Sequence, residues 1–287
     1  MKLALGTVQF GMNYGVANES GQVKISEVTK LIRMASECGI DMLDTAISYG
    51  DSERVLGSIG INKFNVVTKL PALSNSSCAN IENCIKSHIE SSLARLKVDS
   101  LYGLLIYKTD DLHGKYGKEI VESLKSLKRK GLIHRIGISI YSPKELEAID
   151  LKELEINIVQ SPFNILDRRL EQSGWLQRLH NQKIEVHARS VFLQGLLILP
   201  IDKIPEKFLK WRLIFEKWHK LILDNNISPV RGCLNFVSQN NKISRLIVGF
   251  DNSFQLQEVI KIFNNKKLDI NIDFGDVDEE LINPMLW

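Results

Sequence analysis

The chain has only four cysteines in 287 residues, Cys38, Cys78, Cys84 and Cys233, and no two of them form a C-x-x-C pair. That spacing argues against a disulfide framework and against a zinc site, and it fits a reducing cytoplasm. Net charge is also scarce, at +3 from 37 basic and 34 acidic side chains. So small an excess gives no reason to invoke nucleic acid or an acidic membrane surface as a partner. No apolar run approaches the ~20 residues that a membrane span needs. The opening MKLALGTVQFG is too short and too broken by glycine for a signal core. Neither G-x-G-x-x-G nor G-x-x-x-x-G-K-[ST] occurs, so the usual glycine-rich cradles for nucleotide phosphates are missing. These absences leave a soluble, cytoplasmic globular protein without a metal site.

What is present has a rhythm. Short runs rich in β-branched residues lie at 3–8, 40–45, 63–70, 101–107, 134–140, 156–161, 184–190 and 243–249. Stretches with helical spacing separate them, most plainly at 25–40, 81–96 and 119–131. The runs are almost continuously apolar, as expected of parallel strands covered by helices on one side. Eight strand–helix repeats of roughly thirty-odd residues match a (β/α)8 TIM barrel. A doubly wound sheet is the rival arrangement, and the missing phosphate loops count against it. The whole chain, 1–287, reads as one such domain, with Pro200–Trp211 as an insertion after the seventh strand and 270–287 as a tail without a strong period.

In such a barrel, chemistry sits at the C-terminal ends of the strands. Polar residues interrupt the apolar runs there: Asp44 and then Tyr49, Lys69, Tyr107, Ser139, Gln160, and Arg189 with Ser190. Three neighbouring strands thus bring a carboxylate, an ammonium and two phenols to one rim. A carbonyl that receives hydride becomes an alkoxide and needs a proton donor. A tyrosine with a pKa of about 10 is a poor acid, but a neighbouring ammonium would lower it. Asp44 would keep that ammonium charged. The plainer reading of Asp44 and Lys69 is a structural ion pair inside the barrel. His187 reads as a core histidine, and Phe10, Phe163, Trp211 and Trp287 as core residues or pocket walls.

The motifs D-T-A-x-x-Y-G-x-x-E and V-V-T-K, in this order and spacing, resemble the active-site pattern of the aldo-keto reductases. The resemblance extends along the chain through L-G-T-V-Q-F-G, G-I-S, V-Q-S-P-F-N, S-V-F-L-Q-G and I-V-G-F-D-N-S-F-Q-L-Q-E. The version V-Q-S-P-F-N-I-L-D-R-R-L with A-R-S-V-F-L-Q-G is similar to a branch found beside genes for surface polysaccharides and modified sugars. The resemblance implies an NAD(P)H-dependent oxidoreductase that reduces an aldehyde, a ketone or a keto-sugar. In it Tyr49 would be the proton donor, Lys69 its partner, and Asp44 the partner of Lys69. Ser139 and Gln160 would hold the nicotinamide carboxamide, with Gly6, Thr7 and Asp44 beside it. Ser190, Leu193, Gln194 and Gly195 would cover the pyrophosphate, and the Arg189 guanidinium would stack on the cofactor or contact its phosphate. Gly249, Asn252, Gln255 and Glu258 would grip the adenosine end. The partner would be a small carbonyl compound, sugar or sugar nucleotide.

The sequence departs from that pattern in four places. Tyr107 replaces the histidine that orients the carbonyl, and His113 lies a few residues downstream as a potential substitute. Ile140 stands where asparagine usually follows the serine of strand five. Arg189 stands where many relatives place an aromatic over the nicotinamide. Asp251 stands where a basic side chain often meets the 2′-phosphate of NADP(H), so NAD(H), whose 2′-hydroxyl suits a carboxylate, is also open. Two further readings remain: a catalytically impaired or regulatory cofactor-binding barrel, motivated by Tyr107, and a Schiff-base enzyme using Lys69. The second is disfavoured because Asp44 would hold that lysine protonated.

Overall fold

The computed structural model describes residues 2–73, 80–265 and 272–287. Eight parallel strands run in chain order: β1 (Leu3–Gly6), β2 (Met42–Asp44), β3 (Asn65–Leu70), β4 (Leu101–Ile106), β5 (Ile133–Ser139), β6 (Ile156–Pro162), β7 (Glu185–Arg189) and β8 (Arg245–Gly249). Each pairs with the next, and β8 closes on β1, giving the expected (β/α)8 barrel. The outer helices are α1 (Ile25–Glu37), α2 (Ser52–Ile59), α3 (Ile81–Leu96), α4 (Gly117–Arg129), α5 (Trp175–Asn181), α6 (Arg212–Asp224), α7 (Pro229–Gln239) and α8 (Ser253–Asn264). Between β5 and β6 the described connection is the 3-10 helix Pro143–Ala148 rather than an α-helix.

Side chains of a strand alternate between its two sides, so the barrel has two apolar cores. The outer one joins strands to helices and holds Leu3, Leu5, Leu43, Val66, Leu104 and Ile138. The inner one is a plug made by Ala4, Met42, Val67, Leu105, Ile158 and Ile247. Adding two residues to each member of the plug gives Gly6, Asp44, Lys69, Tyr107, Gln160 and Gly249. The same step from Gly137 and His187, on β5 and β7, gives Ser139 and Arg189. Strand periodicity alone therefore lifts eight of the residues singled out from sequence onto one ring above the apolar plug.

The two segments without a clear pattern in sequence pack on each other. Phe208, in the insertion, meets Trp287 of the tail edge-on at 4.8 Å between ring centroids. The Trp211 indole donates to Asp278 Oδ2 at 3.1 Å, and Lys210 pairs with Glu280. Phe10 and Phe163 are core residues, whereas Trp211 and Trp287 lie on this seam. The cysteine expectation fails at one position: Cys84, on α3, is disulfide-bonded. Separation along a chain does not fix the distance between thiols once the chain folds. Cys78 lies outside the described residues, and Cys38 and Cys233 carry free thiols.

Candidate active site

A cavity of about 400 Å³ opens at the C-terminal ends of the strands and is lined by all eight ring residues. It extends from Tyr49 and Lys69 past Gly6, Thr7, Ser190, Gln194 and Gly195 to Asp251, Gln255 and Glu258. Leu193 is fully buried behind its wall. Asn252 also stays off the wall, because its side chain caps α8 by accepting from Gln255 N at 3.0 Å. His113 is exposed and takes no part in the lining.

The floor is an ordered polar array. Lys69 Nζ donates to Asp44 Oδ2 at 2.7 Å and to the Thr45 carbonyl at 2.9 Å. Gln160 Nε2 donates to the other Asp44 oxygen at 2.7 Å. The carboxylate is thus fully engaged, as a buried charge must be. The Lys69 ammonium also sits over the Tyr49 ring, 5.1 Å from its centroid.

Sequence reasoning expects Lys69 to lower the Tyr49 pKa, but the phenol is instead shifted well above its ordinary value. Burial is the main cause and the Asp44 charge adds to it, while Arg189 opposes them. Lys69 faces the ring and spends its charge on Asp44, so burial decides. Burial also pushes the Lys69 ammonium down, against the pull of Asp44.

Two glycines fix the loop that carries Tyr49. A Cβ on Gly11 would lie 1.8 Å from the Tyr49 carbonyl oxygen. Gly50 has φ +53°, and a Cβ there would meet the Gly11 oxygen at 2.3 Å. Behind the loop, Glu53 anchors α2. Its carboxylate accepts from Thr68 and Ser92 at 2.8 and 2.6 Å and from Arg95 Nε and Nη2 at 2.9 and 2.6 Å.

Tyr14 and Tyr141 were not foreseen from sequence, yet both line the cavity. Tyr107 and Tyr141 share a hydrogen bond between hydroxyls at 3.1 Å, with rings edge-on. Burial and this contact raise the Tyr107 phenol above its ordinary range. Arg189 lies over the Tyr141 ring at 4.2 Å and donates to the Ile140 carbonyl at 2.9 Å and to Ser190 Oγ at 3.3 Å. Met285, in the tail, reaches the Tyr107 hydroxyl at 4.0 Å. The covering loop is strained: Ser190, Leu193 and Gln194 have φ of 57°, 48° and 53°. Conformations of this kind persist where surrounding structure enforces them, often at ligand sites.

At the far end, Gln255 accepts from Asp251 N at 2.8 Å. Asp251 Oδ1 is buried with no hydrogen-bond partner among the described residues, and burial raises its pKa. Gln160 Oε1 is in the same position on the floor. Unsatisfied buried acceptors are costly and call for an explanation. One donor-bearing ligand spanning the cavity would satisfy both. Among the described residues no group of three or more His, Cys, Asp or Glu is arranged to hold a metal ion, and no helix is long and apolar enough to cross a membrane.

The sequence pattern of the Aldo/keto reductase family matches residues 2–279. The chain belongs to this family. Among curated relatives, it is 22% identical to L-glyceraldehyde 3-phosphate reductase of Escherichia coli O157:H7, over 88% of this chain and 84% of that protein. It is 28% identical to 6-dehydroglucose reductase of Novosphingobium aromaticivorans, over 52% of each. An aldo-keto reductase of Bacillus halodurans, solved in its holo form, superposes with TM-score 0.73 at 20% identity, covering 93% of this chain and 88% of that one. Glycerol dehydrogenase of Gluconobacter oxydans does so with TM-score 0.72 at 23% identity and the same coverage.

Proposed function

We propose that this aldo/keto reductase is a single-domain, NAD(P)H-dependent reductase of a small carbonyl compound, with Tyr49 as the proton donor. The observation that carries the reading is the array Gln160–Asp44–Lys69 beneath Tyr49 at the base of the cavity. The residues present fit a nicotinamide dinucleotide. Gln160 Oε1 and Ser139 would receive its carboxamide, the loop 190–195 would cover its phosphates, and Asp251 with Gln255 and Glu258 would meet the adenosine ribose. When bound, the nicotinamide supplies hydride to the carbonyl carbon.

The protein's own residues do the rest. As the C=O electron pair moves onto oxygen, Tyr49 gives that oxygen its proton and becomes a phenolate. A phenol raised above its usual pKa is protonated across the physiological range, so the donor is always loaded. The phenolate left behind has the Lys69 ammonium over its ring at 5.1 Å, and Asp44 favours the charged form of that ammonium against the effect of burial. Tyr107, protonated and tied to Tyr141, keeps a hydroxyl donor where the family pattern has histidine. The Asp251 carboxylate would accept a ribose 2′-hydroxyl and repel a 2′-phosphate, which favours NADH.

Sugar-type substrates fit the two curated relatives, which reduce a sugar phosphate and an oxidised glucose by name. They also fit the resemblance to the polysaccharide-associated branch. A panel of aldehydes, ketones and keto-sugars, followed at the NAD(P)H absorbance, tests the reading. Turnover that disappears in Tyr49→Phe supports it, and no turnover on any member sinks it.

A further inference from the structure

Charge is unevenly distributed along the cavity. At the reacting end the lining charges are Asp44, Lys69 and Arg189. Asp44 and Lys69 cancel each other in a salt bridge at 2.7 Å. Arg189 has no carboxylate within ion-pair distance among the described residues; its two hydrogen bonds go to the Ile140 carbonyl and Ser190 Oγ. The acidic linings Asp251, from the loop after β8, and Glu258, on α8, belong to the other end. A half-buried guanidinium that lacks a counter-charge is a standing electrostatic cost.

The surroundings of Arg189 indicate what would offset that cost. Its charge acts on Tyr14, Tyr49, Tyr107 and Lys69, so it sits beside the proton donor rather than at the ribose end. The guanidinium is held over Tyr141 at 4.2 Å. The Tyr14 and Tyr107 phenols are shifted above their ordinary range, so the neighbourhood offers hydroxyl donors. A planar five-donor fork matches carboxylate and phosphate geometry, which a neutral aldehyde or ketone cannot use.

We propose that Arg189 forms an anion subsite, and that the preferred substrate is a carbonyl compound bearing a carboxylate or phosphate a few bonds from the reacting carbon. This rests on the reductase reading above and narrows its substrate class.

The experiment compares matched pairs: succinic semialdehyde with butanal for a carboxylate, and glyceraldehyde 3-phosphate with glyceraldehyde for a phosphate. In the unaltered protein kcat/KM should favour the anionic member of at least one pair by about tenfold or more, and the better pair tells which anion is meant. In Arg189→Gln that ratio should collapse by about tenfold. Arg189→Lys, which keeps the charge but loses the fork, should fall between. The Kd of NADH and NADPH is measured on the same proteins by calorimetry.

Equal losses on both members of each pair, or a weakened cofactor Kd with the ratio unchanged, would overturn the subsite and make Arg189 a cofactor residue. Should the unaltered protein turn over neither member of either pair, the reductase reading is judged by the broader panel above. The subsite is then judged by melting temperature, with succinate and glycerol 3-phosphate against 1,4-butanediol and glycerol. Stabilisation by an anion that Arg189→Gln abolishes keeps the subsite, and its absence removes it.

Discussion

Gln160 and Asp44 are 116 residues apart in sequence, and the Gln160 amide donates to the Asp44 carboxylate at 2.7 Å on the barrel floor. The bond turns the Gln160 carbonyl away from Asp44 and leaves it the free acceptor. Gln160→Leu should therefore act twice. Removing a donor from a buried carboxylate should cost about 1–3 kcal/mol in urea unfolding, and nicotinamide affinity should drop in the same variant. Full stability with weakened cofactor binding would show that the Asp44 contact is incidental.

Tyr49→Phe removes the proton donor and leaves the ring against Lys69. We expect kcat to fall by about 10²–10⁴-fold, with unfolding midpoint and cofactor Kd close to those of the parent. A variant that retains more than a tenth of parent turnover would take the proton-donor role from Tyr49.

The pH dependence follows from the raised phenol. Burial disfavours the phenolate, so the acid form persists above the ordinary tyrosine value of about 10. Reduction should stay level through pH 7–9, a window below that value. Alcohol oxidation needs the phenolate as base and should climb with alkalinity over the same window. A reduction limb that falls with a midpoint near neutrality would contradict the direction found here.

Asp251→Arg tests the ribose end. The carboxylate has a buried oxygen without a partner among the described residues, and its pKa is raised by burial. Replacing it with a cation should improve the NADPH:NADH ratio of kcat/KM by about tenfold or more, equivalent to ~1.4 kcal/mol. An unchanged ratio would mean that Asp251 never meets the ribose.

Gly11→Ala adds one methyl group where the Tyr49 carbonyl lies 1.8 Å away and Ser52 N 2.4 Å away. Both neighbours are backbone, so the Tyr49 loop must shift. We expect a stability loss of roughly 1–3 kcal/mol together with a collapse of turnover as large as that of Tyr49→Phe. Parent-like kinetics would show that the loop can absorb the displacement.

The barrel was legible because its signals are local: eight apolar runs, six of them ended by a polar residue at the ring above the plug. The floor residues were legible for the same reason. Tyr141 obeys the same rule, two residues beyond Ser139, but lies past the strand end where the alternation was not followed. Tyr14 lies in an irregular stretch with no period to read. The direction of the Tyr49 shift was missed because sequence shows that Lys69 is near, but not that it turns to Asp44 and leaves burial to decide. The seam between insertion and tail depends on contacts such as Phe208 with Trp287, which no local pattern encodes.

That seam gives the molecule an optical handle. Trp211 and Trp287 lie on it, and the same tail presents Met285 to Tyr107 at the cavity. Trp218 donates to Leu197 just beyond the strained loop, whereas Trp175 packs beside the starts of β6 and β7, away from all of this. Intrinsic fluorescence therefore contains three reporters near the site and one reference remote from it. Single Trp→Phe replacements would assign a quench to the seam, to the loop or to neither.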